Sequence, residues 1–162
     1  MIDKMQESDW EQVRSIYLEG IATGHATFET SAPEWARWNA DHLAEPRLVW
    51  RENKKVCGWA ALSRVSGRCV YAGVAEVSIY VAEECRGRGI GRALLAALAE
   101  RSEQAGIWTL QAGVFPENRA SIELQLQCGF REVGVREKLG QMAGKWRDVV
   151  LLERRSKVTG LD

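Results

Sequence analysis

The chain reads Val74-Ala75-Glu76-Val77-Ser78-Ile79-Tyr80-Val81, then Ala82-Glu83-Glu84-Cys85, then Arg86-Gly87-Arg88-Gly89-Ile90-Gly91-Arg92, and passes directly into Ala93-Leu94-Leu95-Ala96-Ala97-Leu98-Ala99. The first block is rich in β-branched and aromatic residues and reads as a strand. Residues 93 to 105 combine strong helix formers with an apolar stripe and stop at Gly106. Glycines between a strand and a helix let backbone N–H groups converge on an anion at the helix N-terminus. Such a turn suits a diphosphate, although glycine-rich turns also close simple loops that bind nothing. No Lys-Ser or Lys-Thr pair ends the turn, which argues against a P-loop. No acidic residue closes a next parallel strand about 20 residues on, which argues against a dinucleotide fold.

Working outward, Ser8 and Glu11 have the spacing of a capping box, and Trp10, Val13, Ile16 and Tyr17 recur at helical spacing up to Gly20. His25 to Thr30 reads as an extended loop, and Ser31-Ala32-Pro33-Glu34 starts a second helix running to about Leu43. Short apolar runs at 48–51 and 56–62, joined by Glu52-Asn53-Lys54-Lys55, suit a hairpin. A strand over 107–115, a helix over 118–127 stopped by Cys128-Gly129-Phe130, and strands near 131–136 and 146–152 follow. Without repeats or linkers, residues 1–156 form one mixed α/β domain, and 157–162 form a frayed tail.

Composition narrows the partner. With 162 residues and 46% apolar content the chain can bury a continuous core, and 22 basic residues balance 22 acidic ones. No net field favours nucleic acid or an acidic membrane surface, so the expected partner is a small molecule. No stretch approaches about 20 uninterrupted apolar residues, and Met1-Ile2-Asp3-Lys4 lacks a signal peptide's apolar segment, which predicts a soluble cytoplasmic protein. The four cysteines are scattered and none pairs with histidine at metal-ligand spacing, so no metal site is expected. Two histidines and no G-x-S-x-G leave a Ser-His-Asp hydrolase without its frame. Seven tryptophans serve a core, a pocket wall or a subunit interface.

Arg86-x-x-Gly89-x-Gly91 after the strand 76–81 resembles the acetyl-CoA signature of the GNAT superfamily of N-acetyltransferases. Asn118-x-x-Ser121 and Cys128-Gly129-Phe130 resemble its later Asn-containing helix and G-F ending. Thr27-Phe28-Glu29, Glu76 with Tyr80, and Gly144-Lys145-Trp146-Arg147-Asp148-Val149 look like the phosphinothricin and methionine-sulfoximine acetyltransferases. Residues 70–78, 108–113 and 146–155 are similar to the arsinothricin-resistance enzymes. The resemblance covers nearly the whole chain, to about Ser156. It implies a central, mostly antiparallel sheet flanked by helices and splayed after Val81 at the cofactor strand, with acetyl-CoA as cofactor and a homodimer as the assembly.

The resemblance also implies roles. Backbone groups of Ile79 and Val81 would pair with the pantetheine arm as an added strand. Arg86, Gly87, Arg88, Gly89, Ile90, Gly91 and Arg92 would hold the diphosphate, with Asn118 and Ser121 reaching the cofactor. Asn118 also reads as a plain helix cap. Glu76, a carboxylate in an apolar strand, is costly there unless paired or functional and is the candidate general base. Arg68, Tyr71, Phe28, Glu29, Lys145, Trp146 and Arg147 would shape the acceptor pocket, arginine's planar fork suiting a carboxylate, phosphinate or arsinate. Many relatives place a Tyr or His about seven residues after the Asn as acid for the departing thiolate. This chain has Gln125 there, which leaves Tyr80 or water for that step; Ala143 stands where phosphinothricin enzymes carry a histidine. The expected reaction is direct acetyl transfer to the α-amine of a small anionic amino acid. A cationic or peptide amine as acceptor, and an acyl-CoA sensor without turnover, are the rival readings.

Overall fold

The computed structural model describes residues 1–162. In chain order its elements are β1 (Ile2–Lys4), α1 (Trp10–Ala22), α2 (Trp35–Asp41), β2 (Arg47–Glu52), β3 (Lys55–Arg64), β4 (Val74–Val81), α3 (Ile90–Gln104), β5 (Thr109–Val114), α4 (Arg119–Gln127), β6 (Arg131–Met142) and β7 (Lys145–Arg155). The strands form one seven-stranded sheet in the order β1-β2-β3-β4-β5-β7-β6, parallel only between β4 and β5. That parallel pair needs a crossover, and α3 supplies it.

Strand alternation fixes which helix covers which face. A Cβ on Gly58 of β3 would meet Leu94 and Ile90 of α3 at 3.0 and 3.3 Å, whereas its neighbour Trp59 packs edge-on against Tyr17 of α1. Side chains of successive strand residues point to opposite faces, so α1 and α3 lie on opposite sides of the sheet. On the α3 side Leu94, Leu95 and Leu98 are fully buried. On the other, Trp10, Trp38 and Trp59 form a chain of tilted and edge-on rings 5.4 and 5.6 Å apart. Arg47, 8% exposed, donates to the carbonyls of Leu43, Asn39 and His42 and lies over the Trp38 ring, so it ties the end of α2 to β2.

The sheet forks at β4. Trp108 sits where a Cβ on Gly73 would stand, and Gly73 O accepts from Trp108 N and Thr109 N at 2.8 and 3.0 Å, which clamps the two strands together at their start. They then register for three pairs only, Val74 with Thr109, Ala75 with Leu110 and Glu76 with Gln111. Beyond that β4 follows β3 as far as Val81, while β5 follows β7 as far as Val114. The expected splay after Val81 is therefore corrected: the strands part after Glu76, and Val77 to Val81 are already free on that edge.

Other expectations also shift. The capping box expected from Ser8 and Glu11 is not at α1; one forms at the 3-10 turn Glu7–Asp9 that leads into it, with Gln6 N donating to the Asp9 carboxylate at 2.8 Å. The second helix is shorter than 31–43, and the last two strands are longer than expected because each extends along the other across an irregular ladder. Residues 157–162 turn back instead of fraying: Ser156 Oγ accepts from Val158 N and Thr159 N, and Arg155 donates to the Thr159 carbonyl.

Candidate active site

The fork opens a cleft of about 950 Å³ lined by β4, the end of β5, the glycine turn, α4 and the loop after α1. A volume near 1,000 Å³ is the upper range for small-ligand pockets and suits an elongated molecule. Its floor is the free edge of β4. Ala82 N donates to Cys57 O on the β3 side, so alternation turns the N–H and C=O groups of Val77, Ile79 and Val81 toward the cleft. Arg86 Nε reaches Val81 O at 3.3 Å, which leaves Val81 N–H and both groups of Val77 and Ile79 open.

At one end the glycine turn meets α3. Gly87 and Gly89 take φ of 74° and 80°, and Cβ atoms there would meet nothing within 4 Å, so glycine is required by backbone conformation and not by crowding. Gly91 lies where α3, α4 and β4 converge: its Cβ would stand 3.3 Å from the tip of Leu124, a tight contact, and 3.6 Å from Val81, an ordinary one. The N–H groups of the first helical turn face this end, flanked by Arg86 and Arg92. Arg88 does not join them; it turns outward and donates to Glu52 at 2.6 Å.

The other end gathers side chains. Glu76 lies half-buried at the fork, with Oε1 against Gly113 of β5, and none of the chain's salt bridges uses it. Tyr80 lines the cleft two pleats along, stacked on Trp59 and edge-on to Tyr17, each at 5.0 Å. Burial, with Tyr17 beside it, pushes the Tyr80 phenol far above its ordinary value against the nearby Thr27 hydroxyl, so it keeps its proton. Asn118 caps α4 by accepting from Ser121 N at 3.2 Å and also donates to His25 O at 3.2 Å, so one side chain joins α4 to the loop after α1. Ser121 and Gln125 line the wall one turn apart.

The acceptor residues expected from sequence divide. Arg147 stands just behind the lining: it donates to Gly24 O at 2.9 Å, to His25 Nδ1 at 3.0 Å and to Glu117 Oε2 at 3.3 Å, with its guanidinium 3.9 Å from the Phe115 ring centre. Its valences are spent on the loop, so it positions that loop. The Glu117 carboxyl is held below its ordinary range by its own backbone N–H first and by Arg147 second. Phe28 packs edge-on against Phe115 at 4.8 Å and over Gly140, and Glu29 follows it outside the lining. Arg68 lies over the Tyr71 ring on the exposed segment before β4, while Lys145 and Trp146 sit exposed at the turn between β6 and β7. These four do not line the cleft of the single chain. Sequence reading missed His25, Thr27 and Glu117 as lining residues; the Asn118–His25 contact spans 93 positions and has no local signal.

Residues 6–130 match the model of the acetyltransferase (GNAT) family. A phosphinothricin N-acetyltransferase of Alcaligenes faecalis is 33% identical over 157 residues, covering 93% of this chain and 79% of that protein. Among solved structures, a GNAT superfamily phosphinothricin acetyltransferase from Sinorhizobium meliloti in complex with acetyl-CoA is 28% identical with a TM-score of 0.88, covering 100% of this chain and 91% of that one. A ribosomal-protein-alanine N-acetyltransferase from Brucella melitensis is 29% identical with a TM-score of 0.89, covering 96% and 99%.

Proposed function

Because this chain belongs to the acetyltransferase (GNAT) family and is an acetyl-CoA-dependent N-acetyltransferase, we propose that its forked cleft performs the transfer, with the α-amine of a small anionic amino acid as acceptor. Phosphinothricin, methionine sulfoximine and arsinothricin are the candidate acceptors, and N-acetylation would disarm such compounds by removing the ammonium charge. The observation that carries the reading is the fork itself. The free edge of β4 leads from the glycine turn straight to Glu76, so diphosphate, arm and reacting carbon have consecutive places along one line.

In this reading the N–H groups of the first turn of α3 and the side chains of Arg86 and Arg92 hold the phosphates. The open groups of Val77 and Ile79, with Val81 N–H, pair with the pantetheine amides as a strand would. Glu76, directly or through a water in the cleft, takes the proton from the acceptor's ammonium, and the free amine then attacks the thioester carbonyl. The new N–C bond forms as the C–S bond breaks, releasing the N-acetyl product and CoA. Tyr80 steadies the departing sulfur by hydrogen bonding. A phenol raised far above a thiol's usual ~8.5 would give up its proton uphill, so water protonates the thiolate.

Arg147, the arginine expected to meet the acceptor's anionic group, is committed to the loop in the single chain. We propose that a second copy completes this end. β6 is an edge strand with Val133 and Val135 exposed, Leu139 beyond them and Trp146 at the turn, a surface prepared for pairing. Sedimentation measured with and without acceptor tests the dimer. The chemistry is tested by thiol release from acetyl-CoA with phosphinothricin, arsinothricin, methionine sulfoximine, the common amino acids and an alanine-initiated peptide. Turnover confined to the peptide would move the acceptor class to protein N-termini, and binding of acetyl-CoA without release across the panel would make the domain a sensor.

A further inference from the structure

Gln125 is 2% exposed, faces the cleft from the last turn of α4, and its side-chain oxygen has no hydrogen-bond partner in the protein. Its backbone is fully engaged, the carbonyl accepting from Cys128 N and Phe130 N at 3.1 Å each. The other buried unpartnered polar atoms, on Trp10, Arg14, Trp38 and Trp59, belong to residues that do not line the cleft. An indole can lose one hydrogen bond and still contribute a large apolar surface. A glutamine has no such compensation: its amide is costly to bury unpaired, and a leucine or methionine would fill the same space without that cost.

The orphan is an acceptor, so its missing partner is a donor. Phosphates at cleft pH offer oxygen acceptors and are excluded as that partner. Along acetyl-CoA the donors that can lie in the fork belong to the pantetheine arm, its two amide N–H groups and its hydroxyl. We infer that Gln125 accepts a hydrogen bond from one of these arm donors, opposite the free edge of β4, and so fixes how far the thioester enters the fork toward Glu76. This rests on the reading that acetyl-CoA occupies the cleft. It gives position 125 a cofactor-holding role that needs no proton transfer from the amide.

The test uses the full chain, two variants and two probes: acetyl-CoA, and adenosine 3′,5′-bisphosphate, which shares the nucleotide end and lacks the arm. Gln125→Met should bind acetyl-CoA about tenfold more weakly, as for one lost buried hydrogen bond. It should bind the bisphosphate as wild type does and melt at or above the wild-type temperature in the absence of ligand, because the orphan is gone. Gln125→Glu keeps an acceptor oxygen and should fall between wild type and Met in acetyl-CoA affinity. Unchanged acetyl-CoA affinity in Gln125→Met overturns the inference. So does equal weakening of both probes with a lowered melting temperature, which would mark a structural amide, or a Glu variant that folds and binds worse than Met. If Gln125→Glu does not fold, the Met comparison decides. A wild-type chain that binds the bisphosphate and not acetyl-CoA would instead sink the cleft reading itself.

Discussion

Replacing Glu76 by glutamine isolates the proposed base, because it preserves volume and hydrogen-bonding reach while removing the charge. Glu76 takes part in no salt bridge, so the change leaves no stranded cation, and its place at the last registered pair of the fork keeps the side chain against Gly113. General-base catalysis contributes about 10²–10⁴-fold, which is about 3–5 kcal/mol of barrier. Glu76 is half-buried in a cleft broad enough to admit water, so solvent can partly replace it. The expected fall in kcat therefore lies near the lower bound, about a hundredfold at neutral pH. As pH rises the acceptor ammonium ionises unaided, and the variant should recover ground on the wild type. The KM for acetyl-CoA should hold, since the glycine turn lies at the far end of β4. Thiol release at saturating acetyl-CoA across neutral to alkaline pH measures all three. A folded Glu76→Gln enzyme with wild-type kcat at every pH would refute the base assignment.

Arg147→Met should release the loop around Gly24 and His25, raising the acceptor KM about tenfold or more, as for lost charge-assisted hydrogen bonds, while the acetyl-CoA KM stays put; equal changes in both would contradict the positioning role. Gly20→Ala would place a Cβ 2.7 Å from Tyr80 Cδ1, in a ring already confined by Trp59 and Tyr17 at 5.0 Å. Overpacking of about 1–3 kcal/mol should show as a lower urea midpoint, and an unchanged midpoint would mean that the ring moves freely. Burial alone pushes Asp9 upward, but the Arg51 hydrogen bonds at 2.9 and 3.0 Å and the Gln6 N–H bring it below the ordinary carboxylate range. A folded value below the unfolded ~3.9 means that the pair's contribution is complete above that pH and disappears as pH falls through the folded value. The stability gap between wild type and Asp9→Asn, read by urea titration, should be full at neutral pH and should narrow below pH ~4; a gap that widens in acid contradicts the pairing.

The fold was legible wherever local chemistry sufficed. The strand 74–81 has the boundaries read from its β-branched run, and α3 follows the glycine turn as its composition requires. What escaped were properties of pairing. The length of β6 and β7 comes from each templating the other beyond its own apolar run, and their exposed residues carry no alternation to read. The onset of the fork depends on Trp108 filling the space over Gly73 and on β5 registering with β7, neither of which is encoded within β4. The tail was misjudged because polar residues usually fray, and here Ser156, only 3% exposed, organises the turn that follows it.

The site was legible to the extent that backbone does the binding. An anion held by helix N–H groups and an arm held by a strand edge demand glycines at positive φ and a regular strand, and both leave short, contiguous signatures in sequence. The proposed acceptor end is built from side chains brought together across the whole chain: Asn118 on His25 O, Arg147 on Gly24 O and Glu117, Phe28 on Phe115. These contacts have no spacing to detect, so residue type alone could not distinguish an arginine that meets substrate from one that holds the loop. Arg147 and Arg88 were read as ligand contacts, and the structure commits one to the loop and the other to Glu52. The same division separates what can vary. On the proposed reading, side chains around the acceptor end can change without disturbing the backbone that would hold acetyl-CoA, so acceptor choice can drift on a fixed cofactor site. Position 125 lies on the boundary between the two, a side chain facing the arm, and a substitution there should alter cofactor seating before it alters acceptor preference.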